Sequence, residues 1–157
     1  MIKLAIFDFD GIFTDGSIYI DDIGNETIRC SRLDGRGIQL LMESGINVAI
    51  ISSEHCDAAK RRIIKLGIAD SYWGISNKEQ IYERLLKKYK IVPHEVCYCG
   101  DDDRDFDCMR RSGLAYAPKN AISKIKLISI NLEYKGGSGF VRCVCDNLIE
   151  GGKWKKQ

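Results

Sequence analysis

The chain of 157 residues is 45% hydrophobic and 29% charged, and its 24 Lys and Arg against 22 Asp and Glu leave a net charge of +2. Such a chain suits one soluble domain with a sizeable core and is too short for two comfortable ones. No apolar run approaches membrane-spanning length, the first residues read as a core strand rather than a secretory leader, and so small a positive excess does not argue for nucleic acid.

In chain order, Leu4 to Phe9 is a run of buried-strand character, followed by Asp10 and Gly11. Ser17 to Ile20 and Glu26 to Cys30 flank the turn 21–25 and read as a hairpin insert spanning 17–30. Gly37 to Ser44 has Ile38, Leu41 and Met42 on one helical face, stopped by Gly45. Ile46 to Ile51 is a second core strand, Cys56 to Leu66 a helix ended by Gly67, and Ser71 to Trp73 a short strand. Lys78 to Tyr89 reads as an amphipathic helix, Val96 to Cys99 as a strand, and Asp105 to Arg111 as a helix closed by Gly113. Leu114 to Ala117 is a strand, Asn120 to Ile128 a helix, and Gly139 to Ile149 a last helix. Strand and helix alternate through short Gly-marked links, which predicts an α/β fold with a mostly parallel sheet covered on both faces. The whole chain, 1–157, is expected to be one domain, its segment 136–157 a glycine-rich and then basic tail with Lys153, Lys155 and Lys156.

The seven cysteines, at 30, 56, 97, 99, 108, 143 and 145, are odd in number and lack a disulfide framework's spacing. Cys97-x-Cys99 and Cys143-x-Cys145 are one residue tighter than the usual zinc knuckle. Core or half-buried thiols in a reducing cytoplasm are the expectation, with a structural zinc site as the alternative.

Sites in such sheets lie beyond the carboxyl ends of the strands, and there the polar residues collect. The first strand ends in Asp8 and Asp10, the second in Ser52-Ser53-Glu54, and the Val96 strand in Gly100-Asp101-Asp102-Asp103-Arg104-Asp105, while Lys78 opens a helix. Carboxylates are costly beside a hydrophobic strand, and an acidic run repels itself, unless a cation relieves it. Hydrolysis of a phosphate monoester needs a nucleophile, a proton donor and positive charge around the phosphoryl group, and Asp8, Asp10, Mg²⁺ and Lys78 could supply them. Each residue also has a plainer reading: Asp8 and Asp10 in a polar turn, Ser52 as a helix cap, Lys78 on a solvated face, Asp101 to Asp105 as a capping cluster.

The stretches Asp8-Phe9-Asp10-Gly11-Ile12-Phe13-Thr14-Asp15, Ser52, Lys78 and Gly100-Asp101-Asp102-Asp103-Arg104-Asp105 resemble the four motifs of the haloacid dehalogenase superfamily of phosphohydrolases. The resemblance implies a Rossmann-like fold in which Asp8 attacks phosphorus and Asp10 works as general acid and base. Ser52 and Lys78 would hold the phosphoryl oxygens. Mg²⁺ would sit on Asp8, Asp101 and the backbone carbonyl of Asp10, supported by Asp102 and Asp105.

Thr14-Asp15-Gly16, Asp34-Gly35-Arg36-Gly37-Ile38, Arg62 with Leu66-Gly67-Ile68, Ala117-Pro118-Lys119-Asn120-Ala121 and Gly136-Gly137-Ser138-Gly139-Phe140-Val141-Arg142 narrow the resemblance to the capless sugar-acid phosphatases. That subgroup implies a keto-sugar-acid phosphate as substrate, no large cap domain, and a homotetramer whose subunits cover each other's sites. Thr14, Glu54, Arg62, Lys65 and Arg142 would then meet the substrate, Arg142 closing the pocket. Glu54 stands where the octulosonate 8-phosphatases usually carry arginine, and with Lys65 it is more similar to the nine-carbon 9-phosphatases. The expected substrate is therefore a nine-carbon 9-phosphate, 2-keto-3-deoxynononate or N-acylneuraminate 9-phosphate. The alternatives are 3-deoxy-D-manno-octulosonate 8-phosphate, another bacterial nonulosonate, and a non-catalytic assembly module like the phosphatase-like domain of some sialic acid cytidylyltransferases. Phe140 is a second departure, in place of a usually small residue. No membrane or nucleic-acid partner is expected.

Overall fold

The computed structural model describes residues 1–151. The part of the expected basic tail that carries Lys153, Lys155 and Lys156 lies outside the described residues. Six parallel strands form the main sheet: β1 (Leu4–Phe7), β4 (Asn47–Ile51), β5 (Asp70–Tyr72), β6 (Val96–Cys99), β7 (Leu114–Ala117) and β8 (Ile130–Asn131). Their spatial order is β5-β4-β1-β6-β7-β8. Successive crossovers run outward from β1 through β4 to β5, then jump back across β1 to β6. That reversal leaves a crevice beyond the carboxyl ends of β1 and β6, where sheets of this kind place their ligands.

Alternation along the strands divides the core in two. Ala5, Phe7, Val48, Ile50, Cys97 and Cys99 pack with Ile38, Ile63 and Val144 from helices α1 (Arg32–Glu43), α2 (Asp57–Leu66) and α6 (Phe140–Ile149). Leu4, Ile6, Ala49, Ile51, Val96 and Tyr98 face Leu85, Met109 and Ile125 from α3 (Lys78–Tyr89), α4 (Phe106–Arg111) and α5 (Ser123–Lys126). A parallel strand buried on both faces reads as a continuous apolar run, which is why β1 and β6 were recognisable. Between β1 and α1 a small antiparallel hairpin pairs β2 (Tyr19–Ile20) with β3 (Glu26–Thr27). No large cap follows it. Among the described residues no helix is long and apolar enough to cross a membrane.

Two expectations need correction. Helix α1 begins at Arg32, not Gly37, because Ser31 caps it, its hydroxyl accepting from the Leu33 and Asp34 amides. The helix expected over Asn120 to Ile128 shrinks to Ser123–Lys126. Asn120 lies before it with its side chain committed elsewhere, donating to the Gly11 carbonyl and accepting from the Gly136 amide. The short edge strand β8 had no expectation at all.

The glycines inside α1 have a packing reason that outweighs their poor helix propensity. A Cβ on Gly37 would lie 2.9 Å from Cα of Arg142, and one on Gly35 would lie 2.3 Å from the Arg62 guanidinium. They let α6 and the Arg62 side chain of α2 approach the helix closely. Asp34, fully buried, completes the joint by accepting from the Gly139 and Arg142 amides at 3.3 and 2.9 Å, at the start of α6. Phe140, at the first position of α6, is fully buried in the core beneath it.

Candidate active site

Asp8 continues β1 by one residue, its amide donating to the Cys99 carbonyl at 2.9 Å. The strand's direction therefore aims the 8% exposed Asp8 into the crevice. Across it stands Lys78, first residue of α3, 4% exposed and placed by the Asn77 cap at its helix start. Its ammonium lies 3.0 Å from Asp8 and 2.7 Å from Asp105. Burial pushes the Lys78 ammonium down, but Asp8 and Asp105 outweigh it and hold the proton on. A solvated surface lysine is thus excluded.

Asp105 is wholly buried and fully used. It accepts from Lys78, from the Tyr98 hydroxyl at 3.0 Å, and from the Asp101 and Asp102 amides at 3.2 and 3.4 Å. It shapes the acidic loop and fixes Lys78. Asp102 is exposed and caps the 3₁₀ turn Asp103–Asp105. Asp101 faces β1: Gly11 turns with φ +76°, and a Cβ there would lie 1.9 Å from the Asp101 carboxylate. Only glycine allows that approach.

The carboxylates crowd. Oxygens of Asp8, Asp101 and Asp105 lie within 4.8 Å of one another, the one grouping of possible metal-binding side chains among the described residues. The cysteines form none, so the zinc alternative has no site there; all seven are free thiols. Burial, then the charge of Asp105, raises the Asp8 carboxyl well above the ordinary range against the pull of Lys78. Burial and Asp105 likewise push Asp101 up to about 7. Asp10, half-exposed, is raised by burial and then by Glu54. Carboxyls in this state await a cation, and with Asp105 already filled by four donors and Asp8 Oδ1 engaged by Lys78 and the Phe9 amide, Asp8 Oδ2 and Asp101 are left to take one.

A cavity of about 280 Å³ opens over these groups, lined by Asp8, Asp10, Ser53, Lys78, Asp101 and Arg104 among others. Glu54 is also on its wall. A larger one of about 540 Å³ lies at the far end of the sheet around Met1, Ile46, His94 and Tyr116, away from the carboxylates.

Several expected substrate residues fall elsewhere. Thr14 is 1% exposed and its hydroxyl accepts from the Gly11 and Gly16 amides, bracing the first loop. Ser52 is equally buried and accepts from the Glu54 amide at 3.2 Å; its neighbour Ser53 lines the cavity instead. Arg62 donates to the Ser31 carbonyl at 3.3 Å and ties α2 to α1. Lys65 is exposed in the last turn of α2, and no ion pair joins it to Glu54 among the described residues. Arg142 pairs with Asp146 along α6 at 2.8 Å and lies outside the cavity of its own chain. Sequence reasoning gave no role to Ser53 or Arg104. Arg104 had a signal, as the lone cation inside a run of carboxylates.

The chain belongs to the haloacid dehalogenase-like hydrolases, whose family profile matches residues 36–118. Within that class it is similar to 3-deoxy-D-manno-octulosonate 8-phosphate phosphatase KdsC of Escherichia coli K12, with 38% identity over 152 residues, covering 94% of this chain and 79% of that protein. Among solved structures it resembles the 3-deoxy-D-manno-octulosonate 8-phosphate phosphatase of Moraxella catarrhalis, in complex with magnesium, phosphate and KDO. The TM-score is 0.90 and the identity 35%, with 96% of this chain and 87% of that one covered. The cobalt-bound deoxy-D-mannose-octulosonate 8-phosphate phosphatase of Haemophilus influenzae matches at TM-score 0.90 and 31% identity, over 96% of this chain and 89% of that one.

Proposed function

We propose that this chain is a Mg²⁺-dependent phosphatase that hydrolyses the terminal phosphomonoester of a keto-sugar acid. The observation that carries the chemistry is the buried Asp8–Lys78 pair at 3.0 Å, with Asp10 beside it on the wall of an open cavity. A non-catalytic copy has no use for so costly an arrangement.

The all-oxygen donors Asp8, Asp101 and the Asp10 carbonyl suit a small hard cation, and the raised carboxyls of Asp8 and Asp101 are what a cation would relieve. When bound there, Mg²⁺ would supply positive charge to the phosphoryl oxygens and keep those carboxyls ionised. An Asp8 oxygen attacks phosphorus as the bond to the sugar oxygen breaks, and the Asp10 carboxyl gives that oxygen its proton. Its raised pKa suits the donor role. Asp10, now ionised, takes a proton from water as the water oxygen displaces Asp8 and frees phosphate. Lys78 holds one phosphoryl oxygen throughout.

The named relatives favour octulosonate 8-phosphate as the ester. Glu54, where an arginine would be expected for that ester, favours a nine-carbon 9-phosphate. Comparing kcat/KM for the two esters at equal Mg²⁺ ranks them directly; a preference for the eight-carbon ester removes the argument from Glu54, and a preference for the nine-carbon ester sustains it.

Assembly belongs to the same reading. Ile18, Tyr19, Ile20 and Ile23 of the hairpin are 48 to 81% exposed, an apolar group that a second copy of the chain would cover. Seven free thiols suit a reducing compartment, the cytoplasm.

A further inference from the structure

We propose that Arg104 is the residue that receives the substrate's carboxylate, and that Glu54 holds it in place at the cavity mouth. The inference rests on the sugar-acid reading above and gives its specificity a side chain.

Two cations line the cavity, Lys78 and Arg104. Lys78 is buried and already shared between Asp8 and Asp105, so its charge serves the phosphoryl end. Arg104 projects from the 3₁₀ turn Asp103–Asp105 with its side chain 59% exposed. Its partner Glu54 sits 3.9 Å away and is 70% exposed. At that distance the pair is not a hydrogen bond, so the planar fork keeps its donors for a ligand. An exposed ion pair of this kind contributes little to stability, so Glu54 orients the guanidinium without filling it, and a second carboxylate can join the fork at little cost.

Every other charged group on the cavity wall is acidic: Asp8, Asp10, Glu54, Asp101, Asp102 and Asp105. Lys78 and the cation on Asp8 and Asp101 serve the phosphate end of a sugar-acid ester, and for the carboxylate at its other end Arg104 is the cation that this chain leaves open on the wall. The cation that Glu54 lacks is therefore supplied from the facing loop. A second observation points to a polar ligand at the same wall: the Ser53 hydroxyl is buried and has no hydrogen-bond partner. A sugar hydroxyl within reach would satisfy it.

The test compares wild type, Arg104→Gln and Arg104→Lys on octulosonate 8-phosphate, a nine-carbon 9-phosphate, and p-nitrophenyl phosphate, which has no carboxylate. For Arg104→Gln, kcat/KM on the acids falls about 10-fold or more, carried by KM, while p-nitrophenyl phosphate changes less than about twofold. Arg104→Lys recovers part of the loss. Equal losses on all three esters, or no loss on the acids, would overturn the inference alone. Wild-type protein that prefers neither acid over a carboxylate-free sugar phosphate such as glucose 6-phosphate overturns the substrate class, and the inference with it.

Discussion

Lys78 shows how one residue can join stability to chemistry. Removing it leaves Asp8 and Asp105 facing each other in a buried place, and breaking such a pair costs about 3–5 kcal/mol. Lys78→Met should therefore lower the urea midpoint in metal-free buffer and abolish turnover. Protons and metal compete at the same carboxyls. In metal-free protein, Asp101 titrates near 7 when folded and in the ordinary carboxylate range when unfolded. Between those values the folded state holds the extra proton, so stability falls as pH rises toward 7 and the loss is complete above it. Asp8, also raised, adds in the same direction. Thermal melts with chelator should lose Tm from pH 5 to pH 8, whereas Mg²⁺ should raise Tm most at the upper end, where the carboxyls are ionised. A Mg²⁺-induced rise that is larger at pH 5 would contradict this account. At this scale the cluster of Asp8, Asp10, Lys78 and Asp101 was legible, because carboxylates beside an apolar strand need a physical reason. Thr14, Ser52, Arg62 and Arg142 were less so: one sequence signal fits both a ligand contact and a brace between loops or helices.

Among the elements, the joint of α1 with α6 places the glycine-rich segment against the loop after β1. Gly37→Ala gains helix propensity of about 1 kcal/mol but drives a Cβ to 2.9 Å from an α6 backbone atom, which cannot yield as a side chain can. The overpacking wins, and a net loss of about 1–2 kcal/mol is expected in urea unfolding. Strands β1, β4, β6 and β7 and helix α3 were readable from apolar runs and helical period. The start of α1 was not, because Gly35 and Gly37 in its first turns mask the local Ser31 cap, and the short α5 was not, because the Asn120 side chain is committed to Gly11 and Gly136. The two-residue β8 carries too little pattern to be seen.

For the whole molecule, the reversal of strand order across β1 makes one edge of the sheet the place where Asp8, Asp10, Lys78, Asp101 and Arg104 converge, though they are spread along the sequence from 8 to 104. The alternating elements foretold that edge; the Glu54–Arg104 meeting across it could come only from the folded chain. The exposed hairpin residues predict association, and the resemblance to the capless sugar-acid phosphatases sets the expected number at four: light scattering should give a tetramer, and Ile20→Glu should shift it to smaller species. A monomer at micromolar concentration would contradict that assembly. The proposed activity puts phosphoryl transfer from a keto-sugar acid on Asp8. Steady-state phosphate release with Mg²⁺ from octulosonate 8-phosphate and a nine-carbon 9-phosphate, with Asp8→Asn alongside, decides whether Asp8 performs it. Wild type should turn over at least one of these esters and folded Asp8→Asn neither; turnover by the variant at a comparable rate, or none by folded, Mg²⁺-bound wild type, would contradict the account.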